Sequence, residues 1–481
     1  MKKALFFSVL VCLLLTGCWK HNEPWEKLTD DDQELYFVNQ FGASMMSTYY
    51  LWNKEVEKDL GTWRYDSDPL AKTREVRYKD AAGNEIDRWT QMTDDYDGFR
   101  GLVTGDTKSS GLEYTLYYAD EAKQDIDMVV TYTYADSPAA LAGLKRGDVV
   151  VAINSTPLTA NNYKTLLGAL NSGNNCTLGM KDGSVRTLTA KDMYLDPVHT
   201  HKVIEKDGRK IGYLHYTSYT QKSIPDLVEV FKGFTAAGIT ELVLDLRYNG
   251  GGYSNTAEAL ASMVVPRKEV DDESVFQRDI YNEKLTAAWE EEIAKFGTTF
   301  KYEDEDGKHK VSTVGANPDV SKLYVIMTQN TASASEATVW GLLPYMDIQL
   351  IGERSHGKYY GGIIVDAPTF FGWVKDELGT KTYTAAARLS DNWGIYVMVS
   401  RYADKDGNTP CMPDGFAPDL PVQDNPLDGF ELGDENETML SVVLNGLPDK
   451  ARASVKLKDK PLYTSHHPEV RIITPRNIFG K

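Results

Sequence analysis

The chain has 481 residues, a formal net charge of −18 and 42% hydrophobic residues. That length suggests two to four domains, and the apolar content is sufficient for real cores. The acidic balance argues against nucleic acid and anionic membrane surfaces as partners.

Lys2 and Lys3 precede an almost unbroken apolar run of twelve residues, Ala4 to Leu15. The run is short for a bilayer span and ends in small residues, as an export signal does. Leu15-Thr16-Gly17-Cys18 resembles a bacterial lipobox. That resemblance implies cleavage before Cys18 and lipidation of its thiol; the alternative is an ordinary signal peptide with an incidental cysteine. The expectation is an exported bacterial lipoprotein of the outer membrane, periplasmic or surface-exposed, with signal 1–17 and a polar tether 18–30. No later stretch approaches the length of a membrane helix. Of four cysteines, Cys12 and Cys18 belong to this leader. Cys176 and Cys411 remain and allow one bridge, not a disulfide framework.

Leu35, Val38, Phe41, Met45, Tyr49 and Trp52 recur at spacings of three and four, which predicts a helix with one apolar face. Asp30 to Asp32 suit its N-terminus. The Trp- and Tyr-rich segment 31–100 reads as a small N-terminal helical domain. From residue 101 the pattern changes to short strands, with Leu112 to Tyr118 and Met128 to Tyr134 alternating. Ser137-Pro138 opens a short helix that Gly143 ends, and Gly147-Asp148 turns into the buried strand Val149 to Ile153. This run closely resembles a PDZ domain, placed at 101–192. The resemblance implies a peptide groove between the Leu112 strand and a helix over 161–170, with a carboxylate-gripping loop near Ser109 to Gly111. Gly111 and Leu112 are then the expected peptide-binding residues; the alternative is a domain without a peptide ligand.

Residues 195–425 alternate strands and helices: Ile211 to Tyr216, Ile224 to Ala237, Glu241 to Arg247, Thr256 to Val264, Leu323 to Thr328, Ser335 to Leu343 and Asp347 to Gly352. Such alternation predicts parallel βαβ units. The charged stretch 266–320 reads as an insertion or lid, and 426–481 as a polar C-terminal extension.

Amide hydrolysis needs a nucleophile, a base and donors for the oxyanion. Ser333 follows a buried strand and precedes a helix in Thr331-Ala332-Ser333-Ala334-Ser335-Glu336. At such a turn a hydroxyl is exposed beside free helix amides. Ser333 and Glu336 also fit a capping box, so the serine alone reads more readily as a cap than as a nucleophile. Asn249-Gly250-Gly251-Gly252 sits at another strand-to-helix turn, where glycines allow close backbone approach; it lacks the Gly-Lys-Ser/Thr of a P-loop. Together with Ile351-Gly352-Glu353-Arg354-Ser355-His356-Gly357-Lys358, these blocks resemble the signature of the carboxyl-terminal processing peptidases, peptidase family S41, over residues 100–425. Lys358 lies 25 residues after Ser333, the separation usual in that family.

The resemblance implies a ClpP/crotonase-like α/β core, Ser333 as nucleophile and Lys358 as general base. The oxyanion would be held by the backbone amides of Ala334 and Gly251. The base must be a neutral amine although the ordinary lysine pKa is about 10.4. No metal or organic cofactor is implied; His199 and His201 lack further ligands at metal spacing and read as strand residues. The sequence departs from the family at Gly362, where many members carry a glutamine that orients the lysine. His356 and His215 are the histidines that could take that role. The expected function is a serine endopeptidase acting on protein or peptide substrates through an acyl-enzyme, with the substrate tail held by the PDZ domain. The competing expectations are a catalytically silent peptide-binding lipoprotein and a Ser/His hydrolase.

Overall fold

A computed structural model of the protein describes residues 24–63, 66–289, 292–409, 414–446, 461–465 and 471–472. The leader with Cys18, and Cys411, lie outside the described residues. Among the described residues no helix is long and apolar enough to cross a membrane.

The centre of the molecule is a six-stranded sheet in the order Val198–Lys206, Arg209–Tyr216, Glu241–Asp245, Lys322–Met327, Asp347–Gly352 and Leu420–Pro421. The first pair is antiparallel and the rest are parallel. Strands covered on both faces read as continuous apolar runs, and here alternate residues go to two cores. Leu242, Leu244, Leu323, Val325 and Met327 pack beneath the helices Ile224–Ala237, Ser254–Val264 and Ala334–Leu342. Val243, Tyr324 and Ile326 face the other way, onto the helix Thr438–Asn445. The C-terminal extension is therefore not simply polar, because Met439, Leu440, Val442, Val443 and Leu444 close one face of the central sheet.

A second, seven-stranded sheet runs Gly252–Tyr253, Arg471–Ile472, Tyr360–Asp366, Gly394–Ala403, Val275–Tyr281 and Glu292–Lys295, with Gln91–Thr93 also on Gly394–Ala403. The segment 266–320 is thus only partly an insertion. Its strand Val275–Tyr281 is integral to this sheet, while Thr299–Asp304 and Gly307–Ser312 form a separate hairpin. The N-terminal helix Asp30–Thr48 is capped by Thr29 and begins with three aspartates, as its positive end favours. It builds no core of its own. Phe37, Phe41 and Trp63 share one apolar cluster with Phe370, Phe371, Tyr396 and Val397, so the expected separate helical domain is a layer on the second sheet.

The PDZ-like unit has a sheet ordered Tyr463–Thr464, Leu112–Tyr118, Ile126–Thr133, Val149–Ile153, Asn175–Met180 and Val185–Thr189, with Thr156–Pro157 on Val149–Ile153. Ser137 Oγ accepts from the Ala140 amide at 3.1 Å and caps the helix Pro138–Leu141. The helix Tyr163–Leu167 continues as a 3-10 turn, Gly168–Asn171, and Cys176 is buried in this core.

A buried ion network joins this unit to the central sheet. Arg146 Nη2 meets Asp424 Oδ1 at 2.7 Å, and Arg247 Nη1 meets Asp424 Oδ1 at 3.0 Å and Glu437 Oε1 at 2.6 Å. Arg247 also pairs with Asp245 at 2.7 Å, and Tyr248 Oη donates to Asp424. Burial opposes charge on Asp424, but the Arg146 and Arg247 guanidiniums hold its carboxyl well below the usual range.

Candidate active site

Ser333 ends the turn after Lys322–Met327 and stands at the N-cap of Ala334–Leu342 with φ 62° and ψ −113°. A positive φ costs a non-glycine residue about 1–2 kcal/mol. Such strain persists only where surrounding bonds impose it. Thr331 Oγ1 donates to Leu246 O at 2.7 Å, Ala332 N donates to Asn249 O at 3.0 Å, and Ser335 Oγ donates to the same carbonyl at 3.0 Å. Ser333 and Glu336 occupy capping-box positions, and the Glu336 arm closes, with Oε2 accepting from Ser333 N–H at 3.0 Å. Ser333 Oγ itself is buried and makes no hydrogen bond among the described residues. A serine that merely capped the helix would engage an amide of the first turn.

Glu336 does more than begin a helix. Its Oε1 accepts from Ser355 Oγ at 2.6 Å and from Gly357 N–H at 2.7 Å, and its Oε2 also accepts from Lys358 N–H at 2.8 Å. One buried carboxylate thus clasps the serine turn to the lysine turn. Burial raises its pKa, and these four bonds pull the other way. His356 N–H donates to Thr331 O at 3.0 Å, a second tie between the same two turns. Lys358 is fully buried, and its Nζ donates to Tyr396 Oη at 3.1 Å. The amine lies 5.2 Å from the Trp89 ring centre and 5.0 Å from that of Tyr396.

The glycine loop is bound to the serine turn through the Asn249 carbonyl, which accepts from Ala332 N–H and Ser335 Oγ, and Asn249 Nδ2 donates to Tyr216 O at 3.0 Å. Gly251 has φ 110° and Gly252 φ 140°, which only glycine adopts easily. The Gly251 amide donates to Asn249 Oδ1 at 2.9 Å. It is therefore already engaged, and donation to a substrate oxygen requires exchange of that partner. Ala334 supplies the first amide of its helix, one that a helix leaves without an intrahelical acceptor.

The two histidines lie in different places. His215 Nδ1 meets His199 Nδ1 at 3.1 Å, and the His215 ring packs on Tyr132 and Tyr248 at the junction with the PDZ-like unit. Burial pushes His199 down to about 4. His201 stands on the same strand, Val198–Lys206. His356 is half-buried and lines a cavity of about 830 Å³ together with Trp89, Gln329, Ser355 and Tyr359. The residue bonded to the Lys358 amine, Tyr396, and the flanking Trp89 were not among the sequence candidates. The only signal pointing their way was the missing side chain at Gly362.

In the PDZ-like unit the loop before Leu112 is spoken for. Ser110 N–H donates to Asn171 Oδ1 at 2.9 Å and Gly111 N–H to Ser109 Oγ at 2.9 Å. These amides hold a turn instead of presenting an open carboxylate cradle, and Leu112 is buried in the core. The peptide-like contact lies further along the strand. Tyr463–Thr464 pairs antiparallel with it, Tyr463 opposite Leu116 and Thr464 opposite Thr115. Leu462 packs into the cluster holding Tyr163, Leu166 and Leu167, and Ser465 Oγ donates to Glu113 Oε2 at 2.5 Å. Burial pushes Glu113 up to about 8.

Comparison with known proteins identifies the two domain types. Residues 210–368 match the model of peptidase family S41, and residues 129–174 match a PDZ domain model. The carboxyl-terminal-processing protease of a Picosynechococcus species is 23% identical over 80% of this chain and 82% of its own. The chloroplastic C-terminal processing peptidase of Tetradesmus obliquus is 26% identical over 63% of this chain, which spans 57% of that relative. In fold, the crystal structure of an S41 protease of Bacteroides fragilis matches 84% of this chain and 95% of its own, with a TM-score of 0.63 at 22% identity. The chain carries an S41 peptidase domain and a PDZ domain, and it is a serine-type peptidase.

Proposed function

We propose that the protein is an endopeptidase that cleaves protein or peptide substrates with a Ser333/Lys358 dyad, on an α/β core of the ClpP/crotonase kind. The observation that carries this reading is the Ser333 turn. Among the described residues its hydroxyl makes no hydrogen bond, its backbone is held at positive φ, and Glu336 ties it to the backbone of Lys358.

Lys358, as the neutral amine, takes the Ser333 proton while Oγ attacks the scissile carbonyl. The developing oxyanion receives the Ala334 amide and an amide of the glycine loop, with Gly251 first releasing Asn249. Lys358 then protonates the leaving amine. Water hydrolyses the resulting acyl-Ser333 ester with the same lysine as base. The substrate tail is held as an added strand on Leu112–Tyr118, and the pairing of Tyr463–Thr464 there supports that mode. The buried Arg146–Asp424–Arg247 network makes the PDZ-like unit and the catalytic sheet one continuous support for a bound chain. Lipid attachment at Cys18, with export, completes the proposal; labelled palmitate incorporation that is unchanged in Cys18→Ala sinks that part.

The test is turnover of a denatured protein and of peptide libraries by wild type, Ser333→Ala and Lys358→Ala. The expectation is loss of turnover in both variants. Turnover that survives both removes the dyad.

A further inference from the structure

We propose that Tyr396 is the positioning residue for Lys358, replacing the side chain that Gly362 lacks. This rests on the Ser333/Lys358 reading and adds a residue to it.

A lysine side chain has several torsions, and holding its amine in one orientation costs up to about 2 kcal/mol of rotamer entropy. A base that is to take one particular proton needs that cost met by contacts. Lys358 Nζ donates to Tyr396 Oη at 3.1 Å, and the amine lies against the faces of Tyr396 and Trp89. Both Lys358 and Tyr396 are buried, so a phenol placed here must find a polar partner. Because Nζ donates to Oη, one N–H is fixed and the nitrogen lone pair is confined to the two remaining tetrahedral positions.

The geometry also explains Gly362. Tyr360–Asp366 and Gly394–Ala403 are antiparallel neighbours, with Ile364 opposite Tyr396 and a bulge between Gly361 and Gly362. A Cβ at position 362 would lie 2.5 Å from Tyr396 Cε2, 2.5 Å from Met398 Cε and 2.7 Å from Val397 O. The Tyr396 ring, with the Met398 methyl and the Val397 carbonyl, therefore occupies the volume that a side chain at 362 would need. The two positions are one exchange: the space emptied at 362 is filled from the neighbouring strand by a ring whose hydroxyl reaches the lysine. A tyrosine has only two side-chain torsions, and this one is fixed by packing on Phe99 at a ring separation of 6.1 Å. Such a group keeps its orientation at little entropic cost.

The experiment compares kcat, KM and the pH profile of wild type, Tyr396→Phe, Tyr396→Ala and Lys358→Ala, with thermal melting of each. Tyr396→Phe keeps the ring and removes one oxygen. The expected result is a ~10- to 100-fold fall in kcat with KM little changed, the size of effect that misplacing a reacting group produces. The lost oxygen favours the charged amine most, so the acidic limb of the kcat/KM profile should also move to lower pH. A filler tyrosine would alter melting and leave that limb in place. Tyr396→Phe with unchanged kcat and an unmoved limb overturns the proposal. If Lys358→Ala is inactive in that case, the dyad stands and only the positioning role falls; an active Lys358→Ala removes the dyad itself.

Discussion

The substitution Glu336→Gln isolates the clasp between the Ser333 turn and the Lys358 turn. In the wild type one carboxylate accepts four hydrogen bonds, from Ser333 N–H, Lys358 N–H, Gly357 N–H and Ser355 Oγ. Glutamine has the same shape but turns one acceptor into a donor. Its best placement sets the NH2 against Ser355 and Gly357, because the Ser355 hydroxyl can rotate to accept while the Gly357 amide cannot. One buried donor is then orphaned, which costs about 1–3 kcal/mol, and the remaining bonds lose their charge assistance. The expected loss is about 2–3 kcal/mol by denaturant unfolding, a large share of a typical 5–15 kcal/mol. Glu336→Ala orphans three backbone amides and should cost more, about 3–6 kcal/mol after relaxation. If Ser333 and Lys358 form the proposed dyad, loosening the clasp between their backbones should lower kcat ~10- to 100-fold with KM little changed. A glutamine variant within 0.5 kcal/mol of wild type and with full kcat would refute the idea that Glu336 assembles the site.

Ser333→Gly should remove turnover yet stabilise the fold by about 1 kcal/mol, because glycine adopts φ 62° without strain, whereas Ser333→Ala should not stabilise it; differential melting decides. Glu113 has a folded pKa near 8, against an ordinary value near 4.5, so the folded chain keeps a proton that the unfolded chain loses. Its contribution is full below the ordinary value and is lost as pH rises towards 8, at up to ~1.4 kcal/mol per pH unit. Glu113→Gln should flatten that slope in denaturant titrations at successive pH values. Residues 462–465 occupy the strand edge assigned to substrate tails. A Ser333→Ala chain cut after residue 460 should therefore bind a labelled extended peptide more tightly than uncut Ser333→Ala, and equal affinity in fluorescence anisotropy contradicts this.

Much of the scaffold was readable because burial imposes a period. The helix Ile224–Ala237 and the strands Leu112–Tyr118 and Asp347–Gly352 fall where their apolar patterns place them. Ser333 and Lys358 emerged from a fixed separation and from motif blocks, features carried along the chain. Tyr396 and Trp89 did not, since one reaches Lys358 from a neighbouring strand and the other from the loop before Gln91–Thr93, and no local pattern specifies either approach. The N-terminal helix shows the same limit: its apolar face announced burial but not the partner, which is the second sheet. Glycines at 251 and 111 looked like open amide cradles, yet Asn249 and Ser109 side chains already accept from them. Glu336 looked like a helix cap because its bonds to Ser355, Gly357 and Lys358 span about twenty residues of sequence.

The Ser333/Lys358 dyad is tested most directly by trapping the acyl-enzyme. Wild type and Lys358→Ala are incubated with a slowly deacylating ester of a good peptide substrate, quenched in acid, and mapped by mass spectrometry. The dyad predicts one ester adduct, on Ser333, formed in wild type and absent or far slower in Lys358→Ala. An adduct on any other residue, or equal acylation of Ser333 without the lysine, contradicts it.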